Sequence, residues 1–253
     1  MRFDLQKASL GKRLPAWLLD VILLAVLATA VAALLSFAFG YDAYGTQLQA
    51  AYDKYEALYG VDFELTQEAY EALSEEQLEN YRKAYEAINK DAEAVRAYNM
   101  ALNLTLAILS LSILLAYVLL EFLVPLWLGN GQTIGKKIFN VALMRTDGVK
   151  VTPFMMFVRT VLGKYTLETM IPVLILTMLY FGTVGIEGTV MIGLIVLIQV
   201  VLLLANRTRS VIHDLIACTV AVDNASQMMF DTPEALLDYQ KRIHAEEAAN
   251  SDY

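Results

Sequence analysis

Arg13, Asp20, Glu121 and Asp214 are ionisable side chains set within or beside long apolar runs, where a charge needs a partner or a water-filled cavity. Carboxylates so placed can bind a cation, or take up and release a proton. Burial raises a carboxyl pKa and a nearby arginine lowers it, so the two influences together can bring proton and cation into competition for one site. Arg13 and Asp20 stand seven residues apart. At about 100° per residue this returns Asp20 to nearly the face of Arg13, about 10 Å deeper along a helix. Asp214 lies in a later apolar segment that the charge pattern returns to the same membrane side, so Arg13, Asp20 and Asp214 are expected to share one polar cluster. A structural ion pair between helices is the alternative role for the same residues. Other chemistry finds little support. The single cysteine, Cys218, excludes an intramolecular disulfide and a cysteine metal site, and His213 and His244 are too few and too separated to suggest one. No nucleophile–base arrangement or nucleotide loop survives inspection, so an enzyme is not expected and no cofactor is implied.

The elements that would hold these residues are apolar helices. The run from Leu14 to Phe39 would be about 39 Å long at roughly 1.5 Å per residue, more than the roughly 30 Å of a bilayer core. It is too long for the apolar region of a cleaved secretory signal and reads as a span. A composition of 57% hydrophobic residues agrees with a membrane protein. Arg2, Lys7, Lys12 and Arg13 precede this span and place the N-terminus in the cytoplasm. A second span, about Leu102 to Leu128, carries Glu121 and Pro125 near its inner end. Two further apolar runs, about Thr169 to Phe181 and Thr189 to Ala205, read as a helical hairpin closed inside by Arg207 and Arg209. The third span begins near Tyr165, with Glu168 at the inner interface; a re-entrant pair is the alternative.

Between the first two spans lies an acidic insertion, 41–97, whose thirteen acids and five bases account for the whole net charge of −8. The remaining chain is balanced, so no nucleic-acid partner is expected. Tyr44, Leu48, Tyr52, Tyr55 and Tyr59 form one helical stripe, which Gly60 ends. Ser74 and Gln77 match a capping box. A second stripe follows it: Leu78, Tyr81, Tyr85, Ile88, Ala92, Val95, Asn99 and Leu102. With no Gly or Pro from Val61 to Val124, the spacing predicts one continuous helix from Glu75 to Leu123. The insertion therefore reads as a helical stalk outside the membrane.

After the second span, Gly129 to Lys137 has the look of a phosphate loop, but Asn130 and Lys137 stand where glycine and a hydroxyl residue are required. Asp147-Gly148 between apolar arms, Ile138–Thr146 and Val149–Thr152, predicts a cytoplasmic β-hairpin. An amphipathic stretch from Pro153 to Tyr165 follows. Lys136, Lys137, Arg145, Lys150, Arg159 and Lys164 mark this whole region as cytoplasmic. Val211 to Val222 reads as an apolar interfacial segment bearing Asp214, and Thr232-Pro233-Glu234 opens a last helix.

The predicted class is thus an all-α integral membrane protein of four transmembrane helices, with a helical extracytoplasmic stalk and a small cytoplasmic β-hairpin. Its segments are 1–40, 41–97, 98–128, 129–164, 165–206 and 207–253. With these residues placed, the chain resembles the RDD family of bacterial membrane proteins. Arg13 matches the family arginine, Asp20 its first aspartate, and Asp214, in His-Asp-Leu-Ile-Ala-Cys-Thr, the second. The stretch Gly131-Gln-Thr-Ile-Gly-Lys-Lys137 looks like the family's loop, while Cys218 departs from a glycine and the acidic insertion is an elaboration. The resemblance implies a transport role in the bacterial cytoplasmic membrane, both termini inside, with sodium–proton exchange suggested for some members. Partners on this reading are the bilayer, a small cation such as sodium, protons, and a second copy or another membrane protein. A non-transporting scaffold or accessory subunit, its polar cluster structural and its stalk partner-binding, is the alternative. The first reading expects a hydrated cavity at Asp20; the second expects a closed, paired network.

Overall fold

The computed structural model describes residues 5–180, 182–206 and 208–250; Arg2, Phe181 and Arg207, named above, lie outside them. Four helices are long and apolar enough to cross a membrane: α1 (Leu10–Ala38), α5 (Ala92–Leu128), α7 (Pro153–Tyr180) and α8 (Ile186–Ala205). Three helices precede α5 in the insertion: α2 (Tyr41–Tyr59), α3 (Gln67–Glu71) and α4 (Glu75–Lys90). Short helices α6 (Ile134–Ile138) and α9 (Ile212–Ile216), strands β1 (Val141–Arg145) and β2 (Thr219–Asp223), and a last helix α10 (Pro233–Asn250) complete the chain.

Two compact units form, one of Thr29–Ser112 and one of the residues before and after it. Within the first, Gly60 ends α2 in the left-handed conformation (φ 64°) that a side chain would disfavour. The Ser74–Gln77 capping box starts α4, the serine oxygen accepting from the Gln77 N–H at 3.3 Å and the glutamine oxygen from the Ser74 N–H at 2.9 Å. Phe63 packs between Tyr52 and Tyr81, with ring centroids 5.6 Å from each. The continuous helix expected from Glu75 to Leu123 does not form. Asp91, at φ −74° and ψ 109°, separates α4 from α5, and its Oδ1 accepts from the N–H groups of Glu93 (2.9 Å) and Ala94 (3.2 Å). One extended residue is enough to change the buried face: Ala94 and Ala97 are buried, while Ala92, Val95 and Asn99 of the predicted stripe are exposed. Tyr85 is likewise 57% exposed. Hydrogen bonds from the Ala94 N–H, Tyr55 and Lys54 hold the Asp91 carboxyl down at about 2.

In the second unit the expected hairpin is replaced by a longer-range pairing. The turn at Asp147-Gly148 does reverse the chain, Gly148 donating to Arg145 O at 3.1 Å, but its second arm forms no strand and makes isolated bridges, Lys150 to Met144 and Val149 to Phe230. That arm ends at Pro153, which opens α7 with Thr152 as its cap. β1 pairs instead with β2, antiparallel, from Val141 opposite Asp223 to Arg145 opposite Thr219. Both faces of this two-stranded sheet are covered. Val141 and Leu143 pack with Ala8, Met156 and Ala221; Ala142 and Met144 pack with Val220 and Val222. Burial on both sides is why Val-Ala-Leu-Met carries no polar alternation. The stretch read as interfacial, Val211 to Val222, is therefore a short helix followed by a strand.

The third long helix also differs from expectation. It starts at Pro153, not Tyr165, and absorbs the amphipathic stretch, with π-helical turns over Val158–Met170. A second π-helical segment, Val118–Leu123, lies in α5 around Glu121. Thr232 caps α10, accepting from the Ala235 N–H at 3.2 Å, as its sequence predicts.

Candidate functional site

The ionisable residues meet in the second unit, on α1, α5, α6, α7 and α9. Along α1, Ala16 and Asp20 are buried and Arg13 is partly so, which is the face that the seven-residue spacing selects. The two charged ends of this face serve different partners. Arg13 Nη2 lies 3.8 Å from Asp214 Oδ2, and its Nη1 donates to the carbonyl of Arg209 at 2.7 Å. Asp20 turns to α6 instead: its Oδ1 accepts from the Gly135 N–H at 2.8 Å, and its Oδ2 accepts from the Thr133 hydroxyl. No direct pair joins Arg13 to Asp20 among the described contacts.

What links them is a set of basic residues that the sequence reading used only to mark the cytoplasmic side. Lys136 Nζ is 3.5 Å from Asp20 Oδ2 and 3.9 Å from Glu121 Oε2, and donates to Thr133 Oγ1 at 3.0 Å. Glu121 Oε2 also faces Lys164 Nζ at 2.7 Å and Arg159 Nη1 at 3.9 Å. Arg159 Nε donates to Asp214 Oδ1 at 2.9 Å. The order of contacts is thus Asp20, Lys136, Glu121, Arg159, Asp214, Arg13. Asp214 is 1% exposed, Arg159 2% and Glu121 3%. Lys136, Arg159 and Lys164 are buried and belong to the site, a role that reading them as markers of the cytoplasmic side did not assign.

Local backbone explains how so many charges converge. Arg159 and Lys164 are five residues apart, which on an α-helix points them about 140° from one another. The π-helical turns of α7, bonded from i to i+5, bring both onto Glu121. Opposite them, Thr133 caps α6 and so fixes Lys136 beside Asp20. Gly135 allows α6 to approach α1 so closely that a Cβ there would lie 2.3 Å from the Ala16 carbonyl oxygen. Gln132 anchors the same loop by donating to the Val141 carbonyl at 2.9 Å. The loop's hydroxyl, glycine and lysine are thereby accounted for by contacts to α1 and α5.

Chain sections Arg13 to Asp214, loop and all, match a known pattern. The model of the RDD family matches residues 7–218. The chain belongs to the RDD family. Searches of curated proteins and of solved structures find no match. The RDD match ends at Cys218, directly before β2, and Cys218 itself takes φ 51°, a conformation natural to glycine.

At the Asp214 end of the RDD cluster, Thr219 donates to Asp214 Oδ1 at 3.2 Å and His213 Nε2 lies 3.5 Å from the same atom. His213 Nδ1 is 2.7 Å from Glu168 Oε2. Burial pushes the Asp214 carboxyl up, but Arg159, His213 and Arg13 together outweigh it and hold it well below the usual carboxylate range. Burial lowers the His213 imidazole from its ordinary value, against the pull of Asp214. Burial also lowers Lys136, to about 8; Glu121 and Asp20 oppose this, while Lys164 and Arg159 add to it. Between α1, α5 and α6, a crevice lined by Asp20, Leu23, Leu120, Glu121 and Ile134 leaves no room for a water molecule. Among the described residues no group of three His, Cys, Asp or Glu side chains is arranged to hold a metal ion.

Proposed function

We propose that this RDD protein is a transporter of the bacterial cytoplasmic membrane that exchanges a small cation such as sodium for protons through its buried ionic network. The observation that supports this is the alternation of acidic and basic groups from Asp20 through Lys136, Glu121 and Arg159 to Asp214 and Arg13. Ionised groups at this depth are costly, and the expense is understandable where protons and ions are handled. In this reading the network is shut: Asp20 is fully paired and the crevice beside it is dry. Exchange then requires α1 and α6 to part.

The closed pairing of Asp20 favours the second reading, a membrane scaffold whose network locks helices together. Flux distinguishes the two. In proteoliposomes with an imposed proton gradient, the transporter moves sodium, and Asp20→Asn, which keeps the shape but not the charge, abolishes that movement in a folded protein. A wild-type protein that moves no sodium in either direction supports the scaffold.

The loop charges also support an orientation with both termini and 129–164 in the cytoplasm and the acidic insertion outside. A cysteine placed at Glu75 is then labelled by an impermeant thiol reagent added to intact cells. Labelling only after the inner face is opened reverses the orientation.

A further inference from the structure

We propose that Lys136 is the exchanging group of this network: its ammonium fills, and its neutral amine vacates, a site for one monovalent hard cation formed by Asp20, Glu121 and Thr133. The proposal rests on the exchange reading and names the residue and ligand class behind it.

The geometry selects Lys136 from the four cations present. Arg13 and Arg159 do not lose protons in proteins. Lys164 lies 2.7 Å from Glu121, whereas Lys136 sits 3.5 Å from Asp20 and 3.9 Å from Glu121, a looser hold on both. Groups facing Lys136 from other elements are Asp20 on α1, Glu121 on α5, and Arg159 and Lys164 on α7. Glu121 retains two cations when Lys136 is neutral. Asp20 has no other cation within pairing distance among the described residues, so it is the carboxylate that then attracts a replacement charge.

Glu121 Oε2 is buried among three cations, Lys164 at 2.7 Å and Lys136 and Arg159 at 3.9 Å, and the last two distances are too long for hydrogen bonds. Asp20 Oδ2, Glu121 Oε2 and Thr133 Oγ1 all lie within 3.9 Å of Lys136 Nζ. They are hard oxygen donors, the type that suits alkali and alkaline-earth cations rather than soft metals. Replacing one ammonium by one monovalent ion leaves the charge of the cluster unchanged. In the forward step α1 and α6 part and admit water, an N–H bond of Lys136 breaks, the proton passes to that water, and the cation takes the place of the ammonium; the return step reverses each. With Lys136 lowered to about 8, cation occupancy rises as pH increases through that value and falls below it.

Sodium chloride added to the purified wild-type protein in weakly buffered detergent near pH 8, where Lys136 is about half protonated, should release up to about half a proton per chain, where choline chloride releases none. Lys136→Arg, which stays charged, should release none and lower proteoliposome exchange at least about tenfold. Lys136→Gln should bind sodium with no proton released and no dependence on pH. Proton release retained in Lys136→Gln, or exchange at the wild-type rate and pH profile in Lys136→Arg, overturns the proposal while leaving exchange itself standing. Sodium-linked proton release by a wild-type protein that shows no flux keeps the site and overturns the exchange reading. Neither release nor flux in the wild type overturns both.

Discussion

Arg159→Met should destabilise this protein more than any single change at the surface. Among the described residues, Arg159 is the side chain that faces both Asp214, at 2.9 Å, and Glu121, at 3.9 Å. Methionine fills much of the same volume but leaves Asp214 with the more distant Arg13, at 3.8 Å, His213 and the uncharged Thr219 hydroxyl. Removing one partner of a buried ion pair commonly costs about 3–5 kcal/mol, because the remaining charge keeps its desolvation cost and loses its compensation. Denaturant unfolding in detergent should show a loss of that order. Arg159→Lys should recover only part, since an ammonium cannot reproduce the guanidinium fork. Combining Arg159→Met with Asp214→Asn should be less damaging than Arg159→Met alone, because the orphaned charge is gone. A single variant within about 1 kcal/mol of wild type would show that the network is not the lock described here.

Gly135→Ala is expected to be nearly as severe, for a steric reason. The added methyl would lie 2.3 Å from the Ala16 carbonyl oxygen and 2.8 Å from Asp20 Oδ1. The first of these is helix backbone and cannot rotate away, so α6 and α1 must separate. Separation also breaks the hydrogen bond from the Gly135 N–H to Asp20 and draws Thr133 and Lys136 from the same carboxylate. Overpacking costs about 1–3 kcal/mol and a lost hydrogen bond to a charged group about 1.5–3. A combined loss on the order of 3 kcal/mol should appear as a lower unfolding midpoint. An alanine variant as stable as wild type would mean that α6 has a second seat against α1.

Much of this fold was readable because apolar length and capping chemistry are local properties. The four long helices, the end of α2 at Gly60 and the Ser74 cap all depend on residues within a few positions of one another. The break at Asp91 is also local, yet neither Gly nor Pro marks it: it is made by an aspartate that caps the next helix. The sheet was misassigned because Asp147-Gly148 does turn the chain, while nothing in β1 points to a partner more than seventy residues away.

The site divides in the same way. Arg13 and Asp20 were found from helix periodicity and Asp214 from its apolar setting. Lys136, Arg159 and Lys164 resembled ordinary cytoplasmic basic residues, because their burial depends on π-helical turns and on Glu121 in another helix. A basic residue that follows an apolar turn by five positions is the one local hint available. The place of His213 between Asp214 and Glu168 follows from contacts that sequence spacing does not show.

The pairing of β1 with β2 also sets an order of events. A ribosome delivers Ala8 first, β1 much later, and β2 only after α7 and α8 have been made. Until Asp223 has emerged, Ala8 lacks the Ala221 carbonyl to which its N–H donates, and β1 presents an open edge. Thr219, which donates to Asp214, arrives on the same strand. α8 is therefore already synthesised when the sheet closes, and the ionic cluster is completed only after both α7 and α8 have been made.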